Sequence, residues 1–308
     1  MSKMVDFTLP STASGRTLHA FYCEPDGPVR AVVQLSHGMV EFIDRYKPLA
    51  ESLAAQGIAV TGNDHLGHGG SIRTKADYGY FAQPDGNRAV LDDLHRMTRL
   101  AKQRWPGVPY FLLGHSMGSF YARQYLCEWG GELDGAIILG TGFQPKALVR
   151  LAKGICRVQA ALFGWQHRSK LVERLSFAGY NNGLEGRTTH DWLNRDAAEV
   201  DKYLADERCT FTFTVNAYYS MFSGILRLHD PAFVAQMPKD LPLLFLAGDA
   251  DPVGERGKGV ERAVQSLRDA GVQNMEVKFY PGARHELLVE TNRREVFADI
   301  ADWIEKQL

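Results

Sequence analysis

YFLLGHSMG, residues 110–118, decides how the chain folds. Its first four residues are a short unbroken apolar run, the pattern of a strand buried on both faces. The residues after it, 117–129, have the pattern of a helix. A strand that passes into a helix through Gly114-His115-Ser116-Met117-Gly118 must turn sharply. The two glycines leave room for a strained backbone that lifts the serine hydroxyl above the sheet edge. The helix N-terminus beneath it offers unpaired N–H groups to negative charge. A G-x-S-x-G pentapeptide would occur by chance about 0.1 times in a chain of this composition, so the flanking strand and helix carry the meaning. A helix-capping serine is the plain alternative, but such a cap needs no glycine on either side. Ser116 is therefore a candidate nucleophile.

Outward from this unit the same rhythm repeats. Strand patterns fall at Ala31–Ser36, Ile58–Asn63 and Ala136–Leu139, and helices are expected over Arg45–Gln56 and Val90–Trp105. Near-continuous apolar strands alternating with amphipathic helices predict a mostly parallel central sheet flanked by helices. Two alternating segments before it, about 4–9 and 17–23, read as an antiparallel hairpin at the sheet edge. The rhythm breaks after Gly142. From about Gln144 to Ala235 the pattern is helical and aromatic, as in FTFTVNAYYSMF (211–222). It resumes with a strand at Leu243–Ala247, a helix over Arg256–Ala270, a strand at Met275–Tyr280 and a last helix over Arg293–Lys306. The expected organisation is an α/β core in two parts, 1–143 and 236–308, interrupted by a helical cap, 144–235. Open α/β sheets keep their sites at the C-terminal ends of the strands, which such an insertion would cover.

A serine hydroxyl needs a base to take its proton. Where a serine occupies this kind of turn, acid and histidine come later in the chain. Four histidines follow Ser116; His167, His190 and His229 lie in the insertion, and His285 lies just after a core strand. For the acid, Asp249 and Asp251 stand together after the strand Leu243–Ala247, and spacing does not choose between them.

Composition narrows the classes. A chain of 308 residues, 45% hydrophobic and 23% charged, is globular, and a net charge of −1 gives no field to attract nucleic acid. No run approaches the ~20 apolar residues of a membrane span, and the N-terminus lacks a signal-peptide core. Cys23, Cys127, Cys156 and Cys209 are scattered, as free thiols in a reducing cytoplasm would be.

With these residues in place, the chain resembles the monoacylglycerol lipase and lysophospholipase branch of the α/β-hydrolases. The resemblance rests on His37-Gly38-Met39-x-Glu41 with Arg45-Tyr46, and on Asp64-His65-x-Gly67-His68-Gly69-x-Ser71. It extends to Gly114-His115-Ser116-Met117-Gly118, Gly248-x-x-Asp251 and Gly282-Ala283-x-His285. It implies Ser116, Asp251 and His285 as a triad and leaves Asp249 as a loop residue. It also implies an oxyanion hole from the backbone N–H groups of Met39 and Met117, and a cap that carries the acyl pocket. The function implied is hydrolysis of a monoacyl lipid ester through an acyl-enzyme, with no cofactor. A short-chain or xenobiotic esterase or thioesterase is the alternative within enzymes, and a non-catalytic ligand receptor the alternative outside them.

Three further features have two readings each. His37, His65 and His68 beside Asp64 have the residue types of a metal site, but two glycine-rich turns suit loop-shaping hydrogen bonds better. Glu41 and Arg45 are spaced for a helix-face ion pair or for holding a polar head group. Between Lys146 and Phe163, Leu148, Leu151, Ile155, Val158 and Leu162 recur at helical spacing beside Lys146, Arg150, Lys153 and Arg157. The plain expectation is an apolar face packed on the core. The sharper one is a face that meets anionic lipid and passes substrate to a pocket walled by Phe211, Phe213, Tyr218, Tyr219 and Phe222.

Overall fold

The computed structural model describes residues 2–308. Eight strands form one sheet: β1 Lys3–Pro10, β2 Thr17–Glu24, β3 Ala31–Ser36, β4 Ile58–Asn63, β5 Tyr110–His115, β6 Gly135–Leu139, β7 Leu243–Gly248 and β8 Met275–Tyr280. Their order is β1-β2-β4-β3-β5-β6-β7-β8. The β1–β2 hairpin joins β4 antiparallel, and from β4 to β8 every pairing is parallel.

The alternation of side chains in these strands supplies two cores. Val32, Leu112, Ile138 and Phe245 face one, with α2 (Gly86–Arg104), α3 (Met117–Trp129) and α9 (Lys258–Asp269). Val33, Leu113, Ile137 and Leu246 face the other, with α1 (Lys47–Ala54) and α10 (Arg293–Glu305). Val296, Ile300 and Ile304, one turn apart on α10, are wholly buried; burying each such side chain contributes roughly 1.5–3 kcal/mol.

Three helices begin elsewhere than their patterns suggest. The segment expected at Arg45–Gln56 opens as a 3-10 turn, Ile43–Tyr46, before α1, which takes Pro48 in its first turn. Helix α2 starts at Gly86 rather than Val90, because Asp85 caps it by accepting from the Arg88 N–H. Helix α9 starts at Lys258 rather than Arg256, because Glu255, Arg256 and Gly257 all have positive φ.

Between β6 and β7, which are neighbours in the sheet, stand α4 (Lys146–Phe163), α5 (Lys170–Ser176), α6 (Ala197–Ala205), α7 (Val215–Arg227) and α8 (Pro231–Val234). Helix α7 packs on α2, α3 and α4. Its Asn216 accepts from the Phe81 N–H and donates to the Ala82 carbonyl, fastening insertion to core. Of the apolar row of α4, only Ile155 packs against the core. The buried face of the helix is Val149, Cys156 and Ala160, while Leu148, Leu151, Val158 and Leu162 are 58–69% exposed. The aromatic wall is also revised: Phe213 and Tyr218 are fully buried, in ring contact with each other and, through Phe213, with Phe81. Among the described residues no helix is long and apolar enough to cross a membrane.

Candidate active site

The ends of β3, β5, β7 and β8 deliver the candidate residues to one edge of the sheet, as parallel strands require. Ser116 follows β5 with φ 51° and ψ −119°, a conformation that side-chain-bearing residues seldom adopt. The glycines make the turn possible by close approach. A Cβ on Gly118 would lie 1.9 Å from the Ser36 carbonyl oxygen, and one on Gly114 would lie 2.5 Å from that of Gly118. The Ser119 hydroxyl and N–H both donate to the Ser116 carbonyl.

His285 and Asp251 meet as a buried pair. Nδ1 of His285 is 2.9 Å from Asp251 Oδ2, and the other carboxylate oxygen accepts from the Val253 N–H at 2.8 Å. Both residues are almost completely shielded from solvent. Asp249 is exposed, and its carboxylate instead accepts from the Gly282 N–H at 2.6 Å. Structure thus separates the two aspartates that spacing left together.

The loop after β3 lies against the elbow: a Cβ on Gly38 would stand 3.1 Å from that of Ser116. Met117 is buried at the start of α3 and Met39 half-buried in this loop. The three histidines behind the loop are buried, and both ring nitrogens of His37 and His68 are spent on its shape, while Nδ1 of His65 has no hydrogen-bond partner. The Nε2 atoms of His37 and His68 accept from the N–H groups of His65 and Val40, while their Nδ1 atoms face the carbonyls of Gly38 and Leu66. Burial favours their neutral forms and pushes His68 down to about 3. Nitrogens used in this way are not free for a metal ion. Elsewhere Asp6, His19 and Asp44 bring ligating atoms within 4.8 Å of one another, but the Lys47 ammonium lies 3.0–3.2 Å from both carboxylates and already serves as their cation. Activity is accordingly expected to be unchanged by EDTA. Loss on chelation with recovery on adding a divalent ion would return the histidines to a metal role.

Glu41 and Arg45 form the i,i+4 ion pair, at 3.0 Å, and both are drawn into a buried network. Glu41 is 3% exposed, and one of its oxygens takes Gly38 N–H, Tyr46 hydroxyl and His115 Nδ1 while the other takes Arg45. Arg45 in turn makes a two-pronged bond to Glu286, at 2.5 and 2.9 Å. Burial opposes the charge on Glu41, but His115 and Arg45 hold its carboxyl far below the usual range.

Several residues around the site give no signal in the sequence. Arg284 donates to the carbonyls of Asp191 and Asn194 and pairs with Glu185 at 2.9 Å. The Glu286 N–H donates to Leu193, and the Trp192 ring lies 5.2 Å from that of His285. The Tyr203 hydroxyl donates to the Val40 carbonyl. All these partners come from the insertion, whose sequence shows no motif to mark them.

The chain is 28% identical to human monoglyceride lipase over 96% of its own length and 89% of that protein's. It is 26% identical to the monoacylglycerol lipase of Mycolicibacterium smegmatis, over 92% of this chain and 91% of the other. Among solved structures, the carboxyl esterase of Bacillus coagulans in complex with glycerol superposes with a TM-score of 0.90 at 25% identity, covering 98% of each chain. Residues 27–292 match the family described as serine aminopeptidase, S33 (Hydrolase_4), and the chain is a member of that family of serine hydrolases.

Proposed function

We propose that this protein hydrolyses the ester of a monoacyl lipid, a monoacylglycerol or lysophospholipid, with Ser116 as nucleophile, His285 as base and Asp251 as its orienting acid. The carrying observation is the buried Asp251–His285 pair at the same sheet edge as the strained Ser116. With Nδ1 turned to Asp251, Nε2 is the nitrogen left to accept the serine proton. The serine oxygen adds to the ester carbonyl, and the N–H groups of Met39 and Met117 hold the resulting oxyanion, each typically worth ~3 kcal/mol of barrier. Collapse expels the alcohol, which takes the proton from His285. Water then attacks the acyl-enzyme by the same route and releases the fatty acid. The family's description names an aminopeptidase, but the relatives compared above are named for monoacylglycerol hydrolysis, which favours an ester over a peptide. The four cysteines are free and buried, in keeping with a cytoplasmic enzyme.

The insertion, in this reading, is a cap that docks on lipid. Leaving Leu148, Leu151, Val158, Leu162 and Phe163 in water forgoes the burial that would stabilise them, and Leu171 and Leu175 on adjoining α5 are exposed too. The basic residues contribute less than their spacing suggests. At 100° per residue they lie roughly 140° around the helix from the apolar row, and Lys153 is drawn over the Tyr219 ring at 4.6 Å.

A panel crossing acyl length with head group tests the substrate, with an aminoacyl anilide as the peptide control. Monoacyl esters with long chains are expected to be best. A rate that falls steadily from acetyl upward would favour a short-ester role, the reading to which the Bacillus esterase fold lends weight. Changing Leu148, Leu151, Val158 and Leu162 together to serine should slow hydrolysis of vesicle-borne substrate at least tenfold and leave a soluble butyrate ester unaffected. Equal effects on both substrates, or self-association lost in the variant, would exclude lipid docking.

A further inference from the structure

The residue before the proposed nucleophile is committed to more than the turn. His115 is buried, and both of its ring nitrogens face oxygens that can only accept. Nδ1 is 2.9 Å from Glu41 Oε1, and Nε2 is 3.4 Å from the main-chain carbonyl of His285. A neutral imidazole has one N–H, so in that form one contact would set a lone pair against an oxygen. With both nitrogens protonated, His115 donates to both.

Its partners reach three of the loops of the site, those after β3, β5 and β8. Glu41, at the other end of the pair, accepts from the Gly38 N–H, one residue before Met39. The Tyr46 hydroxyl donates to the same carboxylate oxygen at 2.9 Å and lies 3.0 Å from His115 Nδ1. Arg45 links that carboxylate to Glu286, the residue after His285. His115 itself precedes Ser116 and Met117, and its ring centroid is 5.0 Å from that of His285.

We propose that His115, held as an imidazolium by Glu41, is a positioning residue that fixes the loop of Met39 against the elbow of Met117 and the backbone of His285. It sets the spacing of the two oxyanion donors without touching substrate. This rests on the oxyanion reading of Met39 and Met117 given above. The charged groups around it are Glu41 and Arg45, with Tyr46, from the segment after β3, His37 from the turn before, and Glu286 and His285 from the last loop. Burial works against its charge, but Glu41 outweighs burial and raises His115 above the ordinary 6.5. A raised value means the cation, and with it the full set of bonds, is present at lower pH and lost as pH climbs through that value. Turnover should then fall on the alkaline side in a one-proton limb, where a histidine base alone would give a plateau.

Ring ¹⁵N-labelled wild-type protein, with His115 assigned through bonds from its backbone, reads the charge directly. Both of its nitrogens should be protonated at pH 7. A neutral His115 would overturn the proposal, and because the native protein is used, no failure of folding can obscure the result. Glu41→Gln keeps the size of the side chain and removes its charge. With a soluble short-chain ester it should lower kcat about 10²-fold, as a misplacement near 1 Å does, change KM less than ~3-fold, and move the alkaline limb down by about one pH unit, equivalent to a tenfold change in the proton equilibrium. A rise in KM at constant kcat would make Glu41 a substrate contact instead, and an unaltered profile would also sink the proposal. If His115 proves charged while Ser116→Ala stays active, the triad reading fails and the charge of His115 stands.

Discussion

Asp251→Asn should lower kcat on the order of 10⁴-fold, the loss seen when the orienting carboxylate of such a triad becomes an amide. Asp251 Oδ2 holds His285 Nδ1 and Oδ1 holds the Val253 N–H, both inside the protein. An asparagine can satisfy Val253 with its carbonyl only by turning its NH2 toward the imidazole. The ring would then adopt the tautomer with its proton on Nε2, where the serine proton must go. Asp249→Asn is the control from two residues away. Its carboxylate is exposed and accepts from Gly282, which an amide carbonyl can also do. The change should stay within about threefold, the range of surface substitutions. Steady-state rates on a soluble ester, with circular dichroism to confirm the fold, decide the matter. Equal losses in both variants would show that the pair acts through the loop and not through one carboxylate.

Ser116→Ala should be more severe, on the order of 10⁶-fold in kcat, and should abolish labelling by a fluorophosphonate. Adding His285→Ala should then cost little more, because the members act as a unit. The backbone gives this position a second, independent readout. Alanine inherits the strain of φ 51° and ψ −119°, which costs roughly 1–3 kcal/mol, whereas glycine does not. Ser116→Gly should be equally inactive yet more stable than Ser116→Ala by about 1 kcal/mol in denaturant melts. An alanine variant at least as stable as the glycine variant would mean that the elbow carries no strain.

What was legible in the sequence follows from how local each cause is. Ile58–Asn63, Met117–Trp129, Lys146–Phe163 and Met275–Tyr280 have the limits their patterns predict, because periodicity and flanking turn residues act within a few positions. Helix starts slipped where a single residue decides, as Asp85 does by capping α2 and as the run of positive φ at Glu255–Gly257 does by delaying α9. The amphipathic pattern of α4 reported two faces but not which one meets the core. Small residues, Cys156 and Ala160, allow close packing on that side, and the larger leucines are left outside. Glu41 was legible as an ion-pair partner but not as the centre of a buried network, since His115 comes to it from a distant segment and Glu286 joins it only through Arg45. Asp249 and Asp251 are alike in one dimension and differ only when burial and partner are known.

The grip of residues 185–195 on the His285 loop limits how separable the insertion is from the core. Leu193 and Asn194 take backbone and guanidinium hydrogens from the residues on either side of His285, Glu185 neutralises Arg284, and Arg195 is bound to the buried Glu290. A chimera that exchanged the entire insertion for a relative's, in order to borrow its substrate range, would also remove the outer wall of the histidine's socket. The exchangeable module is smaller: the α4–α5 hairpin, whose outer leucines are exposed, can be regrafted, while the stretch from Glu185 onward belongs, mechanically, to the core.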